Sequence, residues 1–411
     1  MQPTSAPPTL KLRKGTERRI LRGHEWVFSN ELQPPGQGSA WPTAGELVQL
    51  HDYRGRFLAS AYFNPRTLIA ARVVSRTPVE RLDANWLRPR LESALRFRDR
   101  VYPERCYRWV HGEADGLPGL VIDRYGDYLT LQITTAGMHL LEAALLEICR
   151  ELTGCRGIVL RADDHFRQLE GLPLQSPTVV GDIPPWIPLR EGSLEFETQL
   201  LEGQKTGWFF DQRDNRQRLA RYVVGARVLD AFCYAGAWGI TAAKQGAREV
   251  TCLDSSATAI ELVERNARLN NVTVETITAD AFESLKQLQD AGRKFEVVVL
   301  DPPALIKRKR DHEAGLQAYY QLNRLAAGLL ADDGLLVSCS CSHHLAHQEL
   351  VEIVTHAARH HRRRIGLVEI GQQSADHPIH PAIPETAYLK ALYARMIATN
   401  ESTSSNTEIE A

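Results

Sequence analysis

From about residue 192 onward, apolar runs of strand length alternate with stretches whose apolar positions recur every three to four residues. ARVLDAF, EVTCLD, TVETITAD, FEVVVLD and GLLVSCS are the runs, each rich in β-formers, and the segments between them have helical spacing. Strand then helix, repeated, predicts a parallel sheet covered by helices, a doubly wound α/β domain. The front of the chain reads differently. Residues 9–75 carry short alternating stretches such as GELVQLHD and FLASAYF, separated by Gly, Pro and Asn, which predict a small β-rich module. Between them lies a mixed α+β stretch. It holds an arginine-rich helix with Leu87, Leu91 and Leu95 on one face, the alternating run LVIDRYGDYLTLQIT, the helical AALLEICREL and the strand GIVLRAD, and it ends at the breaker-rich GDIPPWIPLREG. The expected division is 1–75, 76–190 and 191–397, with a polar, disordered tail over 398–411.

A chain of 411 residues is longer than one core usually serves, in keeping with that division. No apolar stretch approaches the length of about 20 residues that a membrane helix needs, and MQPTSAPPTLKLRKG lacks the apolar run of a secretory signal. A soluble, cytoplasmic protein with no membrane partner is expected. The seven cysteines are an odd number without repeated spacing, so they are read as reduced thiols. The net charge of −1 conceals an asymmetry: residues 1–110 hold 19 Lys and Arg against 10 Asp and Glu, leaving 30 against 40 for the rest. A basic front is the footprint of a polyanion-binding region. The competing reading is a solvated arginine-rich surface, because much of the excess lies on the helix of residues 81–105.

In a parallel sheet, ligands bind at the carboxyl ends of the strands, and the suggestive residues of the last domain fall there. The first strand ends in LDAFCYAGAWGI, with Gly236 and Gly239 expected to let the backbone turn and approach a ligand. Asp254 ends the second strand, 18 residues after Gly236, where an acid can accept from both hydroxyls of a ribose. Asp280 ends the third, with Ala281 and Phe282 beside it to hold and cover an adenine. The loop lacks the third glycine of a pyrophosphate site and carries Tyr234 and Trp238. The reading therefore favours S-adenosylmethionine, which has no phosphate and whose ammonium Asp230 would meet, over a nicotinamide dinucleotide. No metal is expected.

The fourth strand delivers LDPPAL, placing Asp301 on the catalytic floor. Methyltransferases acting on exocyclic nitrogens use a related element followed by an aromatic; here Ala304 and Leu305 follow. The fifth strand, GLLVSCSCS, lies beside it and faces the same pocket with a thiol. A cysteine thiolate adding to C6 of cytosine activates C5 for methylation, and Asp301, raised in pKa by burial, would protonate or hydrogen-bond N3. A zinc site from Cys339, Cys341, His343 and His344 is disfavoured because no second ligand cluster is evident.

Taken together, LRKGTERRILRGHEWVFSNEL, HGEADGLPGLVIDRYGDYL, GQKTGWFFDQRDNR, LDAFCYAGAWG, LDSS, LDPP and SCS give the chain, over nearly its whole length, a resemblance to bacterial large-subunit (23S) ribosomal RNA cytosine-5 methyltransferases. These join an N-terminal PUA domain to a class I methyltransferase domain of Rossmann-like fold. The resemblance implies Cys341 as nucleophile, to which the strand-end reading adds Asp301 as catalytic partner. It implies cofactor contacts at Asp230, Phe232, Gly236, Asp254, Asp280 and Asp301, with Lys205, Thr206 and Phe210 of the entry motif covering the cofactor; Tyr234, Gly239, Ser255 and Ala281 are further candidates at the same strand ends. It also implies a ribosomal RNA partner that presents a single-stranded or flipped cytosine. A homodimer is left open. Two departures stand out: Ala304 replaces the second cysteine that assists product release in many such enzymes, and Cys339 is an added thiol, read as core packing. The alternatives are a methyltransferase of the same fold acting on guanine or an amino group, and a non-catalytic ribosomal-RNA chaperone.

Overall fold

The computed structural model of the chain describes residues 6–36, 38, 40–201 and 207–399. The chain forms two compact units, Met1–Asp211 with Ser374–Ala387, and Gln212–Gln373 with Tyr388–Ala411. Residues 400–411, most of the expected tail, lie outside the described residues.

The first unit contains two five-stranded sheets. In one, the spatial order is Thr9–Lys11, Leu47–His51, Phe57–Phe63, Ile69–Ser75, Trp26–Phe28. The predicted alternation is visible in Leu47–His51, where Val48 and Leu50 are buried and their neighbours partly exposed. The second sheet pairs Cys106–His111, Leu120–Tyr125, Tyr128–Ile133, Gly157–Ala162 and Gln175–Gly181 in that order. LVIDRYGDYLTLQIT is thus a hairpin, turning at Gly126 with φ +59°. The helix Ala84–Val101, capped by Asp83 through the N–H groups of Asn85 and Trp86, buries Leu87, Leu91 and Leu95 as its spacing predicted.

Some of the arginines on it and just before it are paired. Arg98 is buried and pairs with Asp115 at 2.6 Å, Arg81 pairs with Asp83 at 2.5 Å, and Arg90 donates to the Trp86 carbonyl at 2.8 Å. Arg81, Arg96, Arg100 and Arg105 are exposed, so a solvated arginine surface does cover part of this stretch. Further exposed cations lie earlier, among them Lys11, Arg13, Lys14, Arg18 and Arg22.

The second unit is built on one seven-stranded sheet. Its strands are β1 (Arg227–Ala231), β2 (Glu249–Asp254), β3 (Glu275–Thr278), β4 (Phe295–Leu300), β5 (Leu330–Ser340), β6 (Arg363–Gly371) and β7 (Lys390–Ala398), in the spatial order β3-β2-β1-β4-β5-β7-β6. The first five are parallel, as the rhythm predicted; β7 runs against both neighbours. The intervening helices are α1 (Ala237–Lys244), α2 (Ala257–Leu269), α3 (Ala281–Asp290), α4 (His312–Leu329) and α5 (His347–His360). The strands read as continuous apolar runs because both faces are covered: Val298, Leu300 and Leu336 enter one core cluster, Val297, Val299 and Val337 the other. Among the described residues, no helix is long and apolar enough to cross a membrane.

Candidate active site

The loop from β1 to α1 is the most strained backbone in the second unit. Phe232 (φ +65°) and Tyr234 (φ +48°) hold the left-handed conformation beside Gly236 (φ +77°). A non-glycine residue there costs about 1–3 kcal/mol, a cost met with at ligand-binding turns. Asp254 fastens the loop, accepting from the Tyr234 N–H and the Ser256 N–H, each at 3.0 Å. Each oxygen of Asp254 thus retains a lone pair for a further donor. Gly239 serves packing. A Cβ at this position would lie 2.5 Å from the Cys252 sulfur, so its absence lets α1 press onto β2.

Asp230 is fully buried at the end of β1. One oxygen accepts from the Gly239 N–H at 2.8 Å, and the other, Oδ1, has no hydrogen-bond partner. Burial raises its pKa to about 7, with Asp301 and Asp254 adding repulsion against the Gly239 N–H and Arg216. A buried carboxylate with an orphaned oxygen and two acids nearby suits a cationic partner. The edge continues through Ser255, which is exposed, and Asp280, which follows β3 by two residues and caps α3 through the N–H groups of Phe282 (2.9 Å) and Glu283 (3.1 Å). Ala281 is buried, with Phe282 half-buried beside it. These acids, with no glycine-rich phosphate cradle, fit an adenosine cofactor that is cationic rather than phosphorylated.

Across β1, the end of β4 presents Asp301. Its oxygens accept from Gln212 Nε2 at 2.9 Å and Trp238 Nε1 at 3.0 Å. One N–H donor thus meets each oxygen of the carboxyl. Neither Gln212 nor Trp238 was anticipated as an Asp301 partner, although Gln212 lies in GQKTGWFFDQRDNR and Trp238 in LDAFCYAGAWG.

Cys341 follows the last residue of β5 and is half-buried. Its neighbours hold it. The Tyr319 hydroxyl lies 2.9 Å from both Ser340 Oγ and Ser342 Oγ, and Ser342 Oγ accepts from the Ile306 N–H at 3.2 Å. The two serines thereby tie the thiol's backbone to α4 and to the loop after Asp301. Cys339 is wholly buried in the core beside Val337, and burial drives its thiol well above the usual range. Among the described residues, no three His, Cys, Asp or Glu side chains are grouped to hold a metal.

Lys390 was missed altogether. It opens β7 opposite Ser340, is buried, and donates to the carbonyls of Ser342 (2.7 Å) and Tyr388 (2.9 Å). Burial lowers its pKa to about 8 against the opposing pull of Cys341 and Glu349. An ammonium has three donors, so one N–H remains beyond the two carbonyls. Of the entry motif, Lys205 and Thr206 lie outside the described residues. Phe210 belongs to the first unit, packed against Tyr125 with ring centroids 5.2 Å apart.

The strand order, the reversed β7 and the acid-tipped edge define a class I methyltransferase fold. A PUA-like domain family matches residues 10–76, and the family described as Conserved hypothetical protein 95 matches residues 215–370. Ribosomal RNA large subunit methyltransferase I of Escherichia coli O127:H6 is 34% identical over 395 residues, covering 94% of this chain and 99% of that protein. The chain belongs to the ribosomal RNA large subunit methyltransferase I family. Two solved structures share the fold. One, assigned as a SAM-dependent methyltransferase of Streptococcus mutans, has a TM-score of 0.79 at 18% identity and covers 94% of this chain and all of its own. The other, a methyltransferase complexed with SAH, has a TM-score of 0.80 at 17% identity and covers 95% and 100%.

Proposed function

We propose that this chain methylates a cytosine at C5 in large-subunit (23S) ribosomal RNA, using S-adenosylmethionine and a covalent adduct on Cys341. In this reading, residues 1–75 hold RNA, 76–190 form a central domain and 191–397 carry the chemistry. The observation that carries it is the placement of Cys341: a half-buried thiol, framed by Ser340, Ser342 and Tyr319, on the strand next to Asp301 and beside a buried lysine.

The cofactor, held by Asp230, Phe232, Tyr234, Gly236, Asp254, Ser255, Asp280 and Ala281, supplies an electrophilic methyl group. Gly239 acts at one remove, by orienting Asp230. Lys205, Thr206 and Phe210 remain part of the proposed cover. Cys341 does the activating. Its thiolate forms a bond to C6, the C5–C6 π pair moves to C5, and C5 takes the methyl. When the C5 proton leaves to a base, the pair returns to C5–C6 and expels the thiolate. Lys390 supports the thiolate through its remaining N–H, as a neighbouring cation does. Asp301, in its protonated form, gives its hydrogen to N3 as the thiolate adds and takes it back as the thiolate leaves.

A 5-fluorocytosine RNA tests the reading, because fluorine blocks the final proton removal. The expected product is a stable adduct whose digest carries the nucleotide on Cys341. Recovery of methylated RNA from a Cys341→Ala variant would defeat it.

A further inference from the structure

The cofactor half of the sheet edge is acidic, and a polyanion reaching the thiol must be held against that field. The loop after Asp301 carries a feature that the chemistry leaves unused. Lys307, Arg308, Lys309 and Arg310 follow one another and are all exposed. Among the described residues, Lys307, Arg308 and Lys309 have no carboxylate partner, and Arg310 has only a 3.8 Å approach to its neighbour Asp311. Four adjacent cations repel one another, so an unneutralised run is unfavourable unless an anion binds it.

Its anchorage is firm at both ends. Ile306, immediately before the run, is buried and donates its N–H to Ser342 Oγ, one residue beyond Cys341. Gly315 of α4 makes room for it: a Cβ at that glycine would lie 2.2 Å from Ile306 Cγ1. After the run, His312 Nε2 lies 3.0 Å from Glu349 Oε1 of α5. The cations are therefore carried on a short loop pinned beside the nucleophile.

We propose that residues 307–310 form a phosphate-binding lip that seats the backbone of single-stranded RNA next to the target base. The inference rests on the RNA-methylating reading and adds to it a contact surface within the catalytic unit, separate from the basic N-terminal module. Several cations in a row match the repeated charges of a nucleic-acid backbone, and phosphate contacts of this kind fix register while the pocket reads the base. Side chains this exposed can be changed without disturbing the core.

The test uses the full-length chain in which Lys307, Arg308, Lys309 and Arg310 are all changed to Gln. Its binding to a single-stranded RNA oligonucleotide containing one cytosine is measured across a salt series. Each phosphate that no longer meets a cation lowers the slope of log affinity against log salt by about 0.7 for single strands, so a fall of roughly 1.5–3 is expected. Affinity should drop at least tenfold at low salt while S-adenosylmethionine affinity stays unchanged. An unaltered slope would overturn the lip whether or not the chain methylates cytosine. Polyglutamate displacing the RNA from the wild type as well as competing RNA does would also overturn it, by marking an unselective anion surface. A reduced slope in a protein that transfers no methyl to C5 would instead keep the lip and remove the cytosine-5 reading.

Discussion

The two halves of one sheet edge are built on opposite electrostatic terms. On the β2 and β3 side stand Asp254 and Asp280, with Asp230 at the centre; on the β4 and β5 side stand Cys341, Lys390 and the cations of residues 307–310. Asp301 marks the change, its oxygens held by Gln212 and Trp238. The acidic half suits a cationic cofactor and the basic half a polyanion carrying its base to a thiol. In the proposed function, the strand ends would keep two ligands of opposite charge apart while bringing their reacting atoms together.

If the halves divide the work in this way, their variants should fail differently. The largest effect is expected at Cys341: Cys341→Ala should abolish methyl transfer while cofactor affinity, measured calorimetrically, stays at the wild-type value. Cys339→Ala, two residues away but sealed in the core, should retain transfer. Loss of cofactor binding in Cys341→Ala would collapse the distinction between the halves.

Next is Asp254→Ala, which removes an acceptor and unfastens the Tyr234 N–H. We expect cofactor binding to weaken by about 1–3 kcal/mol, roughly 5- to 150-fold, with the pH profile of Cys341 alkylation unmoved. A folded variant with wild-type cofactor affinity would take Asp254 out of the site.

Lys390→Met should slow iodoacetamide alkylation of Cys341 at pH 7 by about tenfold, the size of a one-unit rise in thiol pKa. Lys390→Arg should recover part of it. Identical pH profiles for wild type and Lys390→Met, in proteins of equal melting temperature, would leave the lysine with only its carbonyl contacts.

The smallest effect concerns Asp230. Its folded pKa is raised to about 7 from 3.8. Between those values the native state keeps a proton that the unfolded state has released, so this group's contribution to stability declines as pH rises. A cationic cofactor favours the charged form, so affinity should climb with pH toward 7, by at most about tenfold per unit. Asp230→Asn should flatten that climb. A wild-type affinity independent of pH from 5.5 to 7.5 would remove the ammonium contact.

The sequence by itself determined the parallel strands and the residues at their ends, because a strand buried on both faces writes a continuous apolar run and its ligand-facing tip is the next polar position. Asp254 was legible in that way; for the fifth strand the pattern placed a thiol at the tip, and the family resemblance rather than the pattern singled out Cys341. Asp280 was legible in position but not in its capping role, since a polar residue after TVETIT serves equally to end a strand or to begin a helix. Tertiary structure alone decided the rest. Cys339 and Cys341 share a local pattern, and only the end of β5 makes one a core thiol and the other half-exposed. Lys390 reaches Ser342 because β7 returns antiparallel against β5, a pairing across 48 residues that no local periodicity records. Asp301 meets Gln212 and Trp238, which folding brings to it from 89 and 63 residues away. Spacing along a chain encodes which face a side chain takes, whereas protonation and reactivity depend on neighbours that only the closed fold supplies.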